Sequence, residues 1–236
     1  MFFTITGVSF LFFSIALSLL CYRIFRYWKE GKDMVSKLFF FSASSFLLFA
    51  LLTITRLIFF DNQFLLRIFV YVSTFLQIIS FSIFAYFIFY VKFPKISPWF
   101  GAVPVFILGL AATFLNKFAD FKPYLDSTGA VNWGLSQPLY PSLFLRVFLL
   151  FVTFIPIIII FLQQLKESTD PYIRKKLIVF IVFLTIGAIV AGLDFIIISI
   201  FKIGAIWRDI VFIVLSIVLI FAFFLTGNKN KNINVE

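Results

Sequence analysis

The sequence predicts an all-α membrane protein, a seven-transmembrane helix bundle with its N-terminus outside and its C-terminus in the cytoplasm. Hydrophobic residues make up 63% of the 236 positions, far above the roughly 45–50% apolar content of soluble domains. Seven apolar stretches are each long enough to cross a hydrocarbon layer about 30 Å thick, which takes roughly 20 helical residues. Basic residues between the stretches collect on alternate sides. Residues 1–236 are therefore predicted to form a single transmembrane domain.

The predicted spans end where an apolar run meets charge, proline or a polar cluster. The first span stops at Arg23 and Arg26, and the third stops at Lys92, just before Pro94. Each remaining boundary follows from the same kind of signal. The approximate spans are 4–22, 38–60, 65–91, 98–115, 143–162, 177–201 and 206–225.

The longest connector, residues 116–142, is predicted to be an outer loop with structure of its own. Its Asp126-Ser127-Thr128-Gly129 cluster is typical of a turn, so a small hairpin is expected there. The large side chains that follow could either cover the bundle or sit among lipid headgroups, and the headgroup position is favoured: Trp133, Leu139 and Tyr140. The polar residues 227–236 are predicted to be a disordered tail.

The orientation follows from the distribution of Lys and Arg. Most of the 20 basic residues fall on the side where the first, third and fifth spans end, and the positive-inside bias makes that side cytoplasmic. The net charge of +10 then reflects topology and attraction to anionic lipids of the bilayer. No nucleic-acid partner is predicted. The expected location is the cell membrane, as a multi-pass protein.

The residue types that are missing exclude several membrane chemistries. The chain has no His, which excludes His-ligated haem, His-based zinc sites and Ser-His hydrolysis. Its single Cys cannot form an intramolecular disulfide or a thiolate metal cluster. The sequence therefore predicts no catalytic residues, no metal and no cofactor, and the chain is not expected to be an enzyme.

Charged side chains at the outer ends of the spans give a candidate ligand site. Four arginines are expected at similar depth there: Arg56, Arg67, Arg146 and Arg208. Asp194 lies deeper in the sixth span, where an unpaired charge is costly, so one of these arginines is its expected partner. The excess positive charge predicts a pocket for a small external anionic ligand. The alternative is that the arginines reach lipid phosphates and the acids merely pair with them.

Gln77 adds a polar group in the middle of the third span. Ser73, Gln77 and Ser80 share one helical face, because they are spaced i, i+4 and i+7. An amide at this depth either bonds to a neighbouring helix or contacts a ligand. Gln77 is therefore included in the candidate site, with helix packing as the alternative.

Two predicted cytoplasmic loops, residues 29–37 and 166–176, form a candidate surface for a partner protein. Both carry mixed charge, which is typical of exposed segments. Solvated loops close to the membrane are the alternative interpretation. The residues expected to contact a partner are Lys29, Lys32, Lys166, Arg174 and Lys175.

Three segments together resemble a known family. They are Thr128-Gly129-Ala130-Val131-Asn132-Trp133, Pro138-Leu139-Tyr140 and Asp170-Pro171-Tyr172-Ile173-Arg174-Lys175-Lys176. With the seven spans and the outside N-terminus, they look like the seven-transmembrane N-terminal sensor region of certain bacterial and archaeal histidine kinases. The resemblance implies a sensor that passes a signal to cytoplasmic domains. No kinase domain follows here, so a stand-alone sensor is expected to act through a cytoplasmic partner.

The functional prediction is an integral membrane sensor or receptor-like module. It is expected to bind a small external anionic ligand in the outer part of the bundle and to act through a cytoplasmic partner. Two alternatives remain open: a small-solute or ion transporter, whose polar path must reach both faces, and a non-catalytic scaffold or assembly subunit. The inner halves of the spans are almost wholly apolar, which favours the sensor.

Overall fold

The computed structural model describes residues 4–116, 123–133, 140–193 and 205–227. Seven helices and one two-stranded hairpin lie in this part of the chain. The elements are α1 (Ile5–Gly31), α2 (Met34–Ile58), α3 (Gln63–Lys92), α4 (Trp99–Leu115), β1 (Tyr124–Leu125), β2 (Val131–Asn132), α5 (Tyr140–Glu167), α6 (Pro171–Leu193) and α7 (Ile206–Gly227).

The lengths and compositions of the helices agree with the predicted all-α membrane class. Among the described residues, α1, α2, α3 and the 141–167 part of α5 are long and apolar enough to cross a membrane. With 30 residues, α3 is about 45 Å long, which exceeds the hydrocarbon thickness of a bilayer. α4 is equally apolar but has only 17 residues.

The helices form a ring in sequence order. α1 packs between α2 and α7, and each later helix contacts the next one along the chain. α3 also contacts α5, so α3, α4 and α5 form a three-helix group. We call the end where α1, α3, α5 and α7 begin, beside the β1–β2 hairpin, the hairpin end. The opposite end, which carries Lys29, Lys92 and Lys166, is the basic end.

Helix replaces most of the first predicted loop, residues 29–37. α1 continues past the predicted stop at Tyr22 to Gly31, since long basic side chains are good helix formers. Lys32 then adopts a left-handed φ of 49° and ends the helix. Asp33 starts α2 by accepting a hydrogen bond from the Ser36 N–H at 2.7 Å, as an N-cap residue does.

Most of the second predicted loop, residues 166–176, is helical as well. α5 ends at Glu167 and α6 begins at Pro171. Nη1 of Arg174 donates to the carbonyl oxygens of Leu165 and Ser168, at 3.0 and 3.1 Å. These carbonyls lie at the end of α5, where no further helical N–H is available to them. Arg174 therefore closes the corner between the two helices.

Two other predicted boundaries fall partly outside the described residues. α6 is described to Leu193, so its predicted end near residue 201 lies beyond that part. Gly227 is the last residue of α7 rather than the first of a tail, and residues 228–236 lie outside the described chain.

Aromatic packing fills the basic-end half of the bundle. Phe39 of α2 contacts one ring of α5, one of α6 and two of α3, with centroids 5.0–5.5 Å apart: Phe161, Phe180, Phe84 and Phe87. Such pairs add about 0.5–1.5 kcal/mol each beyond the area they bury. This cluster joins four helices with apolar groups alone.

α4 approaches α3 closely through two glycines. A Cβ atom on Gly109 would lie 2.4 Å from Cγ2 of Ile78. On Gly101 it would lie 2.2 Å from Cδ2 of Phe89 and 2.9 Å from the main-chain oxygen of Ala85. Small residues allow helix backbones to come together in this way.

The predicted hairpin between the fourth and fifth helices is confirmed. Tyr124 pairs with Asn132 and Leu125 with Val131 in an antiparallel ladder. Gly129 has a φ of +76°, a conformation that glycine adopts without steric cost. The chain therefore turns back at the predicted cluster.

Candidate functional site at the hairpin end

Thr6, in the first turn of α1, lies at the centre of a buried polar cluster. Its Oγ1 accepts hydrogen bonds from the Val131 N–H at 2.8 Å and from Nη2 of Arg208 at 3.3 Å. The same hydroxyl donates to Oδ2 of Asp209 at 2.5 Å. A hydroxyl has one proton and two lone pairs, so the bonding capacity of Thr6 is fully used.

Arg208 and Asp209 form a buried ion pair at the start of α7. Nε of Arg208 lies 2.9 Å from Oδ1 of Asp209, and their exposed fractions are 8% and 0%. Nη2 of Arg208 also donates to the Val131 carbonyl oxygen at 3.0 Å. Ser9 lies 3.4 Å from Oδ1 of Asp209 and 2.8 Å from the Thr6 carbonyl oxygen. The two charges offset each other, as buried charges must.

The same cluster holds the hairpin against α1 and α7. Both main-chain polar groups of Val131 bind residues of those helices, and the Ile5 N–H donates to the Gly129 carbonyl oxygen at 3.3 Å. The carboxylate of Asp126 accepts from the N–H groups of Thr128 and Ala130 at 2.9 and 3.0 Å.

Asp126 is held in its charged form. Burial by itself disfavours the carboxylate, but hydrogen bonds from the Thr128 hydroxyl and from the main chain of Thr128, Ala130 and Ala205 outweigh it. Together they lower the pKa of Asp126 below its ordinary value, because each bond stabilises the ionised form.

Arg56 lies under the hairpin near the end of α2. Its guanidinium carbon is 5.6 Å from the ring centroid of Trp133, within range of a cation–π interaction. Its Nη2 donates to the Phe69 carbonyl oxygen at 3.4 Å, while its Nε is buried with no hydrogen-bond partner in the described part of the chain. Trp133 itself packs on Leu57, Phe60 and Val131, so it covers the bundle as the less favoured prediction had it.

A second cation lies beside Arg56. Arg146 of α5 is half-buried and close enough for its charge to oppose that of Arg56. No carboxylate of the described residues forms an ion pair with Arg56. A buried guanidinium with a like charge nearby is costly, and an anion bound close to both would lower that cost.

Gln77 lies deeper on α3, with its Oε1 buried and without a hydrogen bond among the described residues. Its predicted neighbours on the same face are used in packing. The Ser80 and Ser42 hydroxyls bond to each other between α3 and α2, and Ser73 donates to the Val70 carbonyl oxygen of its own helix at 3.0 Å.

A separate polar network joins α3, α4 and α5. Nδ2 of Asn116 donates to the Thr74 hydroxyl at 3.3 Å, and the Ser142 hydroxyl lies 2.7 Å from Oδ1 of Asn116. The same hydroxyl lies 2.7 Å from the Ala112 carbonyl oxygen. Asn116 is 2% exposed, so its amide links the three helices from inside.

The structure thus separates the four arginines that were predicted to form one site. Arg56 and Arg146 lie together, whereas Arg208 is occupied by Asp209 and the hairpin. Arg67 is exposed on α3. Asp194 lies outside the described residues.

The predicted partner-contact residues lie at the basic end. Lys29 and Lys32 are exposed at the α1–α2 corner, and Lys166 is exposed near the end of α5. Arg174 is exposed but bonded across the α5–α6 corner. Lys175 lies in the first turns of α6, and its side chain is outside the described part.

Sequence reasoning missed Thr6, Ser9 and the main chain of Val131. The only signal was the polar Thr4, Thr6 and Ser9 at the start of an otherwise apolar helix. Such hydroxyls usually bond to their own helix, which is why the spacing did not single them out.

Comparison with known proteins gives no match, so the function is argued from the geometry of the site. No protein-family model matches the chain, and neither a curated protein nor a solved structure matches it.

Proposed function

We propose that this chain is a multi-pass membrane sensor that binds a small external anion between Arg56 and Arg146. In this proposal all seven helices span the cell membrane, with the hairpin end outside and the basic end in the cytoplasm. The observation that carries the proposal is the Arg56 guanidinium, which is shielded by Trp133, opposed by Arg146 and left with a buried Nε that has no partner among the described residues.

The chemistry of Arg56 favours an oxyanion or another small anion. A buried donor without an acceptor costs about 1–3 kcal/mol, and more when it is charged. An anion between the two guanidiniums supplies that acceptor and screens their repulsion through charge-assisted hydrogen bonds. Gln77, with its free amide oxygen below, is the residue available to a donor group on a larger ligand.

The basic-end half of the bundle favours a sensor over a transporter. A transporter needs polar groups along a path to both faces. Here Phe39 packs against rings of α3 and α5, and the residues that line the cavity beside it are apolar. An anion bound at the hairpin end would act by shifting helix positions rather than by passing through.

The output surface in this proposal consists of the two helix corners at the basic end. Lys29, Lys32 and Lys166 are exposed there and carry positive charge toward the cytoplasm and the anionic lipid surface. The resemblance to histidine-kinase sensor regions supports a cytoplasmic signalling partner that binds these corners.

The test is thermal unfolding of the detergent-purified protein with chloride, nitrate, bicarbonate, acetate, phosphate and sulfate. An anion that binds the folded state raises the unfolding midpoint, by about 2.7 kcal/mol of stabilisation at 100 times its Kd. We expect the rise to be lost in Arg56→Gln and Arg146→Gln. Arg67→Gln is the matched control, because it removes one exposed charge at the same end. Equal stabilisation of all four proteins would refute the site.

A flux measurement separates the sensor from the transporter alternative. The protein is reconstituted in liposomes and loaded with a gradient of the stabilising anion. We expect no uptake above protein-free liposomes. Uptake that disappears in Arg56→Gln would make the chain a transporter that uses the same site.

A further inference from the structure

We infer that the β1–β2 hairpin is a lid over the anion site, held shut by Thr6 and Arg208 through the main chain of Val131. This inference rests on the proposed function, since it assigns the access route to the Arg56–Arg146 pair. It also gives Trp133 a specific role, as the residue that covers the ligand.

The lid follows from the positions of Val131 and Trp133. They are two residues apart in an extended segment, so their side chains leave the strand on the same side. Val131 belongs to one apolar cluster with Leu57 and Phe60, Trp133 packs against that cluster, and the Trp133 ring lies over the Arg56 guanidinium. Lifting this one segment would uncover Arg56.

The latch follows from the main-chain groups of Val131. Its N–H binds Thr6 at 2.8 Å and its carbonyl oxygen binds Arg208 at 3.0 Å. Both groups therefore face α1 and α7 rather than β1. Thr6 and Arg208 are in turn fixed by Asp209, so the lid is fastened to a buried ion pair that does not touch Arg56.

The arrangement couples two places in the bundle. Trp133 ties the hairpin to α2, and Val131 ties it to the seam between α1 and α7. If a bound anion moves Trp133 away from Arg56, the hairpin moves with it, and the hydrogen bonds of Val131 to Thr6 and Arg208 are strained. If the lid must open for the anion to pass, a weakened seam is expected to change how fast the anion enters and leaves.

The experiment uses Thr6→Val, which removes the hydroxyl at the centre of the latch. Thr113→Val is the matched control, because among the described residues the Thr113 hydroxyl bonds to the Gly109 carbonyl oxygen of its own helix, at 3.1 Å. Hydrogen exchange of residues 124–133 reports opening of the hairpin, and rapid filtration with radiolabelled iodide gives association and dissociation rates. We expect Thr6→Val to speed exchange and to raise both iodide rates on the order of tenfold, with Thr113→Val unchanged.

Trp133→Leu provides a second test that leaves the buried ion pair intact. If Thr6→Val does not fold, this variant shortens the lid without touching the latch, and the same rise in iodide rates is expected. Faster hairpin exchange with unaltered iodide rates in either variant would overturn the lid while leaving the anion site standing. If iodide fails to bind the wild-type protein, and no other anion raises its midpoint, the proposed function itself fails.

Discussion

Thr6 and Asp209, which are 203 positions apart, share a 2.5 Å hydrogen bond that joins the first helix to the seventh. Beneath it the seam turns apolar, with Phe10 and Phe13 of α1 packed on Phe212 of α7 at 5.0 and 5.1 Å. The polar contact fixes the register of the two helices, and the rings below supply the buried area.

Neutralising Asp209 is expected to destabilise the protein strongly. In Asp209→Asn the Arg208 charge stays buried without its partner, which costs about 3–5 kcal/mol. The measurement is the thermal unfolding midpoint in detergent. Glu30→Gln, which breaks the exposed Arg26–Glu30 pair, is the control and should leave the midpoint unchanged. Similar midpoints for the two variants would mean that Asp209 contributes no more than a surface charge.

A methyl group at Gly109 should separate α3 and α4, and a smaller residue at position 78 should restore their contact. Gly109→Ala forces a Cβ against the Ile78 side chain, and overpacking of this kind costs about 1–3 kcal/mol. The double variant with Ile78→Ala should regain part of the loss. Gly101→Ala is the contrasting case: its new Cβ also meets the Ala85 main-chain oxygen, so trimming Phe89 should not rescue it. Rescue of both, or of neither, would contradict the geometry.

Lowering the pH should loosen the hairpin, because protonation of Asp126 weakens the hydrogen bonds that this carboxylate accepts. The folded pKa of Asp126 lies below its ordinary value, so its contribution is present above about pH 4, the unfolded value, and is lost as the pH falls through the lower folded pKa. Trp133 fluorescence, in a protein whose Trp28, Trp99 and Trp207 are Phe, should therefore shift to the red only in acid. In Asp126→Asn the hairpin should be looser near neutral pH, and this transition should be absent. A transition of the same size in both proteins would assign it to another group.

Replacing the buried amide of Asn116 should reduce the stability of the protein only slightly. Thr74 also bonds to the Val70 carbonyl oxygen at 2.8 Å, and Ser142 also approaches the Ala112 carbonyl oxygen. Both hydroxyls keep a partner in Asn116→Leu, so we expect a loss of about 1 kcal/mol, measured by the unfolding midpoint. Thr74→Val combined with Asn116→Leu should add little more. A large further loss would show that the network is cooperative.

The sequence predicted the helices well because apolar length determines them, but it misplaced their ends at the basic end. Lys29 and Lys37 were assigned to a loop since charge follows an apolar run, yet both lie within helices. Aqueous charge does not end a helix. Lys32, in the left-handed conformation, ends α1, and the capping Asp33 begins α2; only Asp33 leaves a trace in the sequence.

The sequence identified the charged residues of the candidate site but not how the fold arranges them. Arg208 stood out because a charge in an apolar chain is costly. Arg56 and Arg67 looked equivalent, since both flank the same tight connection between α2 and α3. Which of them faces the interior depends on how the helices rotate, and that is set by packing of neighbours such as Leu57 and Leu66, both nearly inaccessible. The role of Val131 rests on main-chain groups, which carry no sequence signature.

The closure of the ring also sets an order of events during synthesis. Translation at about 5–20 residues per second separates the appearance of Thr6 and Asp209 by on the order of ten to forty seconds. Through that interval Thr6 lacks its Asp209 partner, and the hairpin, once made, lacks its bond to Arg208. Arg208 and Asp209 then arrive as neighbours, so the new charge enters already neutralised. A chain interrupted before α7 would keep the Thr6 bond to the hairpin but would lack the Arg208 bond, so the seam closes only after α7 has been made.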